Sequence, residues 1–150
     1  MTPTDLIQKI VGFPVSHVWR GYGSAILIEL GQLKSRVNQR TREPFLEGQA
    51  TLMIEWSWRI ERPKSILCGS WSDERRWPKA LAQLVGARVS AVECVGHLPE
   101  IRVSLNNGLR VLSFMTAEGQ PQWAIVLRRP KYYSVHVSRG RLIMESGGVA

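Results

Sequence analysis

Alternating apolar and polar positions predict that most of the chain forms strands. In the longest such segment, Ala50 to Glu61, the even positions are apolar and the odd ones mostly polar, apart from Met53. This pattern predicts one long, half-buried strand. Ile101 to Leu105 alternates in the same way and leads into Asn107-Gly108, a dipeptide typical of two-residue hairpin turns.

Further strands are predicted to follow one another through short turns. They cover Leu109 to Met115, Trp123 to Leu127, Tyr132 to Ser138 and Arg141 to Met144. The turns between them are predicted near Glu118–Pro121 and at Arg139-Gly140. Because parallel pairing requires crossovers of a dozen residues or more, short turns favour an antiparallel sheet.

An internal repeat is suggested by two short segments, Val11–Val18 and Val85–Val92, which share the pattern Val-Gly-x-x-Val-Ser-x-Val. The later matches keep the same order: Ile26, Ile28 and Leu30 with Ile101, Val103 and Leu105; Trp58 and Ile60 with Trp123 and Ile125; Arg62-Pro63-Lys64 with Arg129-Pro130-Lys131. Several colinear matches favour a duplication. Chance similarity of short Val, Gly and Leu patterns is the alternative, since the offset changes along the chain.

The predicted fold is therefore α+β: a strand-rich antiparallel sheet built from two similar halves, each a helix plus a β-meander, related by a pseudo-twofold axis. The repeat units cover about residues 3–70 and 78–145 of a single compact domain, 1–150, with a linker at about 71–77. Helices are predicted near residues 3–11 and 78–85, because each has proline in its first turn and ends at a glycine, Gly12 or Gly86. The segment Lys34–Gly48 is the longest irregular stretch, has no second-half counterpart of equal length, and is a candidate functional loop.

Composition narrows the class of protein. The 150 residues are 44% hydrophobic and 21% charged, which is typical of a globular chain and excludes disorder for most of it. No apolar run is long enough to span a membrane, and Asp5 interrupts the position of a signal peptide. The two cysteines match no metal or redox motif, and both follow apolar patterns typical of buried thiols. We expect a soluble cytoplasmic protein with reduced thiols and no membrane partner.

Signatures of catalysis are absent from the sequence. It contains no phosphate-binding glycine loop, no nucleophile elbow, and no histidine or cysteine pair at metal-binding spacing. We therefore expect no enzymatic activity, no cofactor and no metal.

Positive charge is the most informative feature. The formal net charge is +8, and 15 of the 20 basic residues are arginine, whose planar guanidinium binds carboxylates or phosphates bidentately. The candidate binding surface consists of Lys34, Arg36, Arg40, Arg42, Arg62, Lys64, Arg128, Arg129 and Lys131. Under the predicted symmetry, Arg62 and Lys64 form a basic corner related to that of Arg129 and Lys131. A merely solvated basic face is the alternative.

Six tryptophans are many for this length. Trp56, Trp58 and Trp123 fall on core-facing strand positions. Trp71 and Trp77 flank the polar linker, where an aromatic side chain either packs on the core or is exposed as an interface anchor.

The motif Val-Gly-x-x-Val-Ser-x-Val, the strand Ile101-x-Val103-x-Leu105-x-Asn107-Gly108-Leu109 and the later Trp123-x-Ile125 together resemble small uncharacterised bacterial domains, some of them similar to immunity proteins of toxin systems. The resemblance implies a non-catalytic protein-binding module that uses the Lys34–Gly48 loop. Immunity proteins that cover nucleases are often acidic, so this basic chain requires an acidic protein partner. The alternatives are a nucleic-acid-binding protein acting through the arginine-rich surface, and a small-molecule pocket between the two halves.

Overall fold

A computed structural model describes residues 1–119 and 122–147, and antiparallel strands dominate this part of the chain. The first half contains α1 (Pro3–Gln8), β1 (Val15–Arg20), β2 (Ile26–Leu30), β3 (Lys34–Val37), β4 (Pro44–Glu47), β5 (Ala50–Ile54), β6 (Trp58–Glu61) and β7 (Ile66–Gly69). After a single 3-10 turn over Glu74–Arg76, the second half contains α2 (Trp77–Ala82), β8 (Val89–Val95), β9 (Glu100–Leu105), β10 (Arg110–Ser113), β11 (Trp123–Leu127), β12 (Tyr133–Ser138) and β13 (Arg141–Ser146).

The strands form two main sheets and a separate hairpin. Sheet A has the order β1-β2-β5-β11-β12-β13, sheet B has the order β7-β6-β10-β9-β8, and β3 pairs with β4 in a two-stranded sheet. All pairings are antiparallel, which confirms the strand-rich antiparallel prediction. The two α-helices have six residues each, fewer than expected, so the fold is mostly β rather than α+β.

Strands of the two halves are exchanged between the main sheets. Sheet A joins the meander β1-β2-β5 to β11, β12 and β13, whereas sheet B joins the meander β8-β9-β10 to β6 and β7. Each helix also packs on strands from the other half of the chain: α1 packs on β8 and β12, and α2 packs on β1 and β7. Apolar faces of both sheets therefore meet in one core cluster.

The starts of β1 and β8 are joined by matching backbone hydrogen bonds. The Gly12 N–H donates to the Val89 carbonyl and the Gly86 N–H donates to the Val15 carbonyl, both at 2.8 Å. Val15 N–H donates to Ala87 at 2.7 Å, and Val89 N–H donates to Phe13 at 2.9 Å. A bulge then interrupts each strand at the same step, between Val15 and His17 in β1 and between Val89 and Ala91 in β8.

The predicted single strand over Ala50–Glu61 is wrong. It is divided into β5 in sheet A and β6 in sheet B, with a three-residue crossover in which Trp56 has φ +62°. The apolar positions keep the same alternation on both sides of the crossover, because Ile54 and Trp58 face the same core from opposite sheets. Trp56 was predicted to face the core but is 43% exposed, because the crossover turns its side chain outward.

Local signals explain where the helices begin and end. Thr2 and Asp5 form a capping box at the start of α1. The hydrogen bond from the Thr2 backbone, followed by that of its hydroxyl, lowers the pKa of Asp5. After each helix, Gly12 and Gly86 adopt φ +93° and +94°, a left-handed conformation that favours glycine.

Several predicted turns and loops are now assigned. The turns at Asn107-Gly108 and Arg139-Gly140 connect paired strands, as predicted. Of the predicted turn at Glu118–Pro121, residues 120 and 121 lie outside the described residues. In the linker, Trp77 is buried, whereas Trp71 is 94% exposed.

Candidate functional site

The segment Lys34–Gly48 is an ordered hairpin, not the irregular loop predicted from the sequence. β3 and β4 pair in register, Lys34 with Glu47 and Val37 with Pro44. The hairpin occupies the connection between β2 and β5, where the second half has only the short turn between β9 and β10. We call this element the basic hairpin.

A buried carboxylate anchors the basic hairpin to sheet A. Glu29 of β2 is only 2% exposed, and its two oxygens accept hydrogen bonds from Trp19 Nε1 at 2.7 Å, Gly48 N at 2.9 Å and the Thr51 hydroxyl. Such hydrogen bonds offset the cost of burying a charge. Because Gly48 ends the hairpin, this network fixes one side of its base.

Backbone atoms of Leu30 and Ala50 crowd the position that a Cβ atom of Gly48 would occupy. A Cβ atom at this position would lie 2.6 Å from the Leu30 carbonyl oxygen and 2.8 Å from that of Ala50. The base of the hairpin therefore has room only for glycine, which lets its N–H reach the Glu29 carboxylate.

Arg128 extends the same network to the second half of the chain. Its Nη1 donates to the Thr51 hydroxyl at 2.7 Å and to the Gly48 carbonyl at 3.1 Å. Its Nε lies 3.2 Å from Glu47 Oε1, the atom that Arg36 Nε approaches at 3.3 Å. Arg36 and Arg128 are thus joined through one carboxylate and hold the base of the hairpin.

One face of the basic hairpin is turned toward sheet A. Phe45 of β4 packs beside Trp19 of β1, with 6.1 Å between the ring centroids. Since side chains alternate across a strand, Val37 and Leu46 belong to the opposite face, which is turned to solvent. Val37 is 50% exposed and Leu46 39% exposed.

The tip of the hairpin has an ordered backbone. The Asn38 side chain accepts hydrogen bonds from Arg40 N at 2.9 Å and Thr41 N at 3.1 Å, while Arg42 N donates to the Asn38 carbonyl at 2.8 Å. Arg42 itself has φ +63°. The two arginines of the tip therefore project from a fixed turn rather than a loose loop.

The structure brings part of the predicted basic surface together. Arg128 and Arg129 reach the region of the hairpin base, Arg129 through a 2.8 Å hydrogen bond from Nη2 to the Gln32 carbonyl. Lys131 is placed over the ring of Tyr133, at 5.3 Å from its centroid. Within the described residues, the side chains of Lys34, Arg40 and Arg42 form neither an ion pair nor a hydrogen bond, so they remain available to a partner.

Arg62 and Lys64 lie elsewhere, in the turn between β6 and β7 of sheet B. No hydrogen bond or ion pair joins them to the basic hairpin in the part of the chain that is described. Arg129 and Lys131, by contrast, lie in the turn between β11 and β12 of sheet A. The nine predicted residues thus form two separate groups.

Comparison with protein-family models, with curated proteins and with solved structures gives no match to this chain. The arguments for function therefore rest on the chain's own geometry.

A metal site, a membrane-spanning helix and a ligand pocket between the two halves find no support among the described residues. The described residues include no group of three or more His, Cys, Asp or Glu side chains placed to hold a metal ion, and no helix among them is suited to crossing a membrane. The core void lined by both halves, from Ile10 and Val15 to Leu84 and Val89, measures about 10 Å³. Ligand pockets measure roughly 300–1,000 Å³, so this void supports no small-molecule site.

Two parts of the site were missed from the sequence. Glu29 interrupts the apolar run Ile26–Leu30, a signal that could have marked a buried acid with a structural role. The exposed pair Val37 and Leu46 left no comparable signal, because neither residue stands in a long alternating segment.

Proposed function

We propose that the protein is a non-catalytic protein-binding module whose contact surface is the solvent-facing side and tip of the basic hairpin, and whose partner is an acidic protein. The carrying observation is the combination of exposed apolar Val37 and Leu46 on the solvent-facing side with the unpaired Arg40 and Arg42 at the tip of the same hairpin. Apolar centres with charged surroundings are typical of protein interfaces. Charge complementarity would speed the encounter with an acidic surface.

The anchored base supports the same proposal. Because Glu29, Arg128 and Gly48 fix the hairpin and Asn38 orders its tip, little conformational entropy is lost on binding. An immunity-like role, in which the hairpin covers a toxin, belongs to this proposal and requires an acidic toxin.

The test compares capture of proteins from a nuclease-treated bacterial lysate by the full chain, by two charge-reversal variants and by one variant in which the apolar pair is replaced. Arg40→Glu with Arg42→Glu should lose an acidic protein that the unmodified chain retains, and Val37→Ser with Leu46→Ser should lose the same protein. Arg62→Glu with Lys64→Glu is the matched control and should retain it. Equal capture by all variants would refute a role for the hairpin.

Nucleic-acid binding is the second candidate, favoured by the basic side chains that have no intramolecular partner. Binding through phosphates would weaken steeply as salt rises, because counterions are released. Fluorescence anisotropy with mixed DNA and RNA at low and moderate salt distinguishes the candidates. Steep salt dependence that both charge-reversal pairs reduce would favour nucleic acid, whereas no binding at low salt would leave the acidic protein.

We also propose that the chain arose by duplication of a helix-plus-meander unit. The exchanged helix contacts, the matching hydrogen bonds of Gly12 and Gly86, and the equivalent bulges in β1 and β8 support it. In this view the basic hairpin is an insertion into the first copy, at a position where the second copy keeps a short turn. Its function is then specific to the insertion rather than to the shared unit.

A further inference from the structure

A second surface feature lies away from the contacts of the basic hairpin, at the crossover from sheet A to sheet B. Trp56, at the centre of the crossover, lines a cleft of about 420 Å³ together with Tyr22 from the β1–β2 loop. The floor includes Leu27 and Met53 from sheet A. Tyr22 is fully exposed, and Trp56 is 43% exposed.

The conformation of Trp56 is unusual for its residue type. A left-handed φ of +62° is a rare conformation for a bulky side chain. Surrounding hydrogen bonds impose it: the Ser24 hydroxyl donates to the Trp56 carbonyl at 2.7 Å, and Ser57 N donates to the Glu55 carbonyl at 2.8 Å. Glycine would fit this backbone with less strain. Backbone preference therefore does not account for tryptophan here, and strained residues of this kind occur at binding sites.

The charge of the cleft is opposite to that of the whole chain. Glu55 lines it, and its carboxylate forms no ion pair or hydrogen bond with the residues that the structure describes. No Lys or Arg is among the described lining residues. Arg20, the nearest basic residue along the chain, is instead held over the Trp77 ring at 4.3 Å and lies 3.3 Å from Glu74.

We propose that this cleft binds a small organic cation of the alkylammonium class. The faces of Trp and Tyr rings attract cations through the negative potential of their π systems, and tryptophan does so most strongly. The Glu55 carboxyl group, which lines the same cleft, adds charge attraction, while Leu27 and Met53 offer apolar contact to the alkyl groups. This inference is independent of the protein-binding hairpin.

The test follows the tryptophan indole resonances of the full chain by proton–nitrogen NMR during titration with choline. The Trp56 indole signal is identified as the one lost in Trp56→Gly, a variant whose backbone suits the positive φ. The neutral control ligand has the same shape as choline, with a tert-butyl group in place of the trimethylammonium group.

We expect choline to shift the Trp56 indole signal saturably and the neutral isostere to shift it much less. Glu55→Gln should weaken choline binding about threefold or more, and Trp56→Gly should abolish the response of the neighbouring backbone amides. Trp71→Ala removes an exposed tryptophan that is not part of the cleft and should change nothing. Equal shifts with both ligands, no effect of Glu55→Gln, or no shift at Trp56 would each overturn the proposal.

Discussion

Trp58 and Trp123 each donate an indole hydrogen bond to a backbone carbonyl that lies just before a strand of the other main sheet. The Trp58 indole donates to the Ser24 carbonyl at 2.7 Å, and the Trp123 indole donates to the Pro99 carbonyl at 2.8 Å. Each acceptor lies two residues before a buried isoleucine, Ile26 in β2 or Ile101 in β9. Trp58 is in sheet B, and its acceptor precedes β2 of sheet A; Trp123 is in sheet A, and its acceptor precedes β9 of sheet B. Each indole therefore connects one sheet to the segment that leads into the other.

Replacing either indole should therefore cost a similar amount. Trp58→Phe and Trp123→Phe each leave a carbonyl without its donor, and we expect each to lower the free energy of unfolding by about 1–3 kcal/mol. Chemical denaturation measures this loss. Trp71→Phe, at an exposed site, should stay within about 0.5 kcal/mol of the unmodified protein. A large difference between the two core variants would contradict their equivalence.

The glycines that follow the helices give a second paired prediction. Gly12→Ala and Gly86→Ala place a Cβ in open space, so only the left-handed backbone opposes the change. We expect each variant to lose about 1–2 kcal/mol of stability. Thermal or urea unfolding measures the loss, with Val85→Ala at a partly exposed neighbouring position as control. If neither alanine variant is destabilised, the left-handed backbone at these positions does not oppose a side chain.

Replacing Glu29 should destabilise the base of the basic hairpin, because its carboxylate accepts the hydrogen bond from the Gly48 amide. In Glu29→Gln the amide NH₂ must face a donor, whichever way the side chain turns, because both oxygens now accept hydrogen bonds. We expect a loss of about 1–3 kcal/mol, and faster hydrogen exchange at the Gly48 amide.

The matched control for this change is Glu43→Gln near the exposed hairpin tip, which should leave Gly48 exchange unchanged. Unaltered exchange in Glu29→Gln would show that the carboxylate does not anchor the hairpin.

The two thiols should differ in reactivity. Cys68 is buried and Cys94 is exposed at the residue level, which corrects the expectation that both are buried. Partial burial of the Cys94 thiol raises its pKa, so less thiolate forms at mildly alkaline pH than in the unfolded chain. Iodoacetamide should alkylate native Cys94 more slowly than the unfolded protein, and faster as pH rises. Cys94→Ser should abolish labelling of the native protein, and labelling that persists would place the reactive thiol at Cys68.

The alternation of apolar and polar residues predicted which side chains face the core. It did not predict which sheet each strand joins. Ile54 and Trp58 are both buried as expected, yet alternation alone does not reveal that the chain changes sheets between them. The crossover includes a hydrogen bond from the Ser24 hydroxyl to the Trp56 carbonyl, a tertiary contact that alternation cannot reveal. Trp56 was misplaced for this reason.

The binding surface was predictable only as a list of charges. Clustering along the sequence indicated Arg40 and Arg42, and the structure shows them on an ordered tip. That Arg128 holds the hairpin base could not be inferred, because its contact with Thr51 joins residues 77 positions apart. Contacts between residues so far apart in the sequence cannot be predicted from it. The sequence therefore does not tell which arginines form internal contacts and which are free to bind a partner.

The exchange of strands between sheets also sets an order of events during synthesis. β5 and β6 leave the ribosome before β11 and β10, so one edge of each strand has no hydrogen-bonding partner while the second half is being made. Unpaired edges of this kind are prone to pair with other chains. The nascent protein stays exposed to this hazard until Leu127, the last residue of β11, has emerged, and neither half can close its own core beforehand.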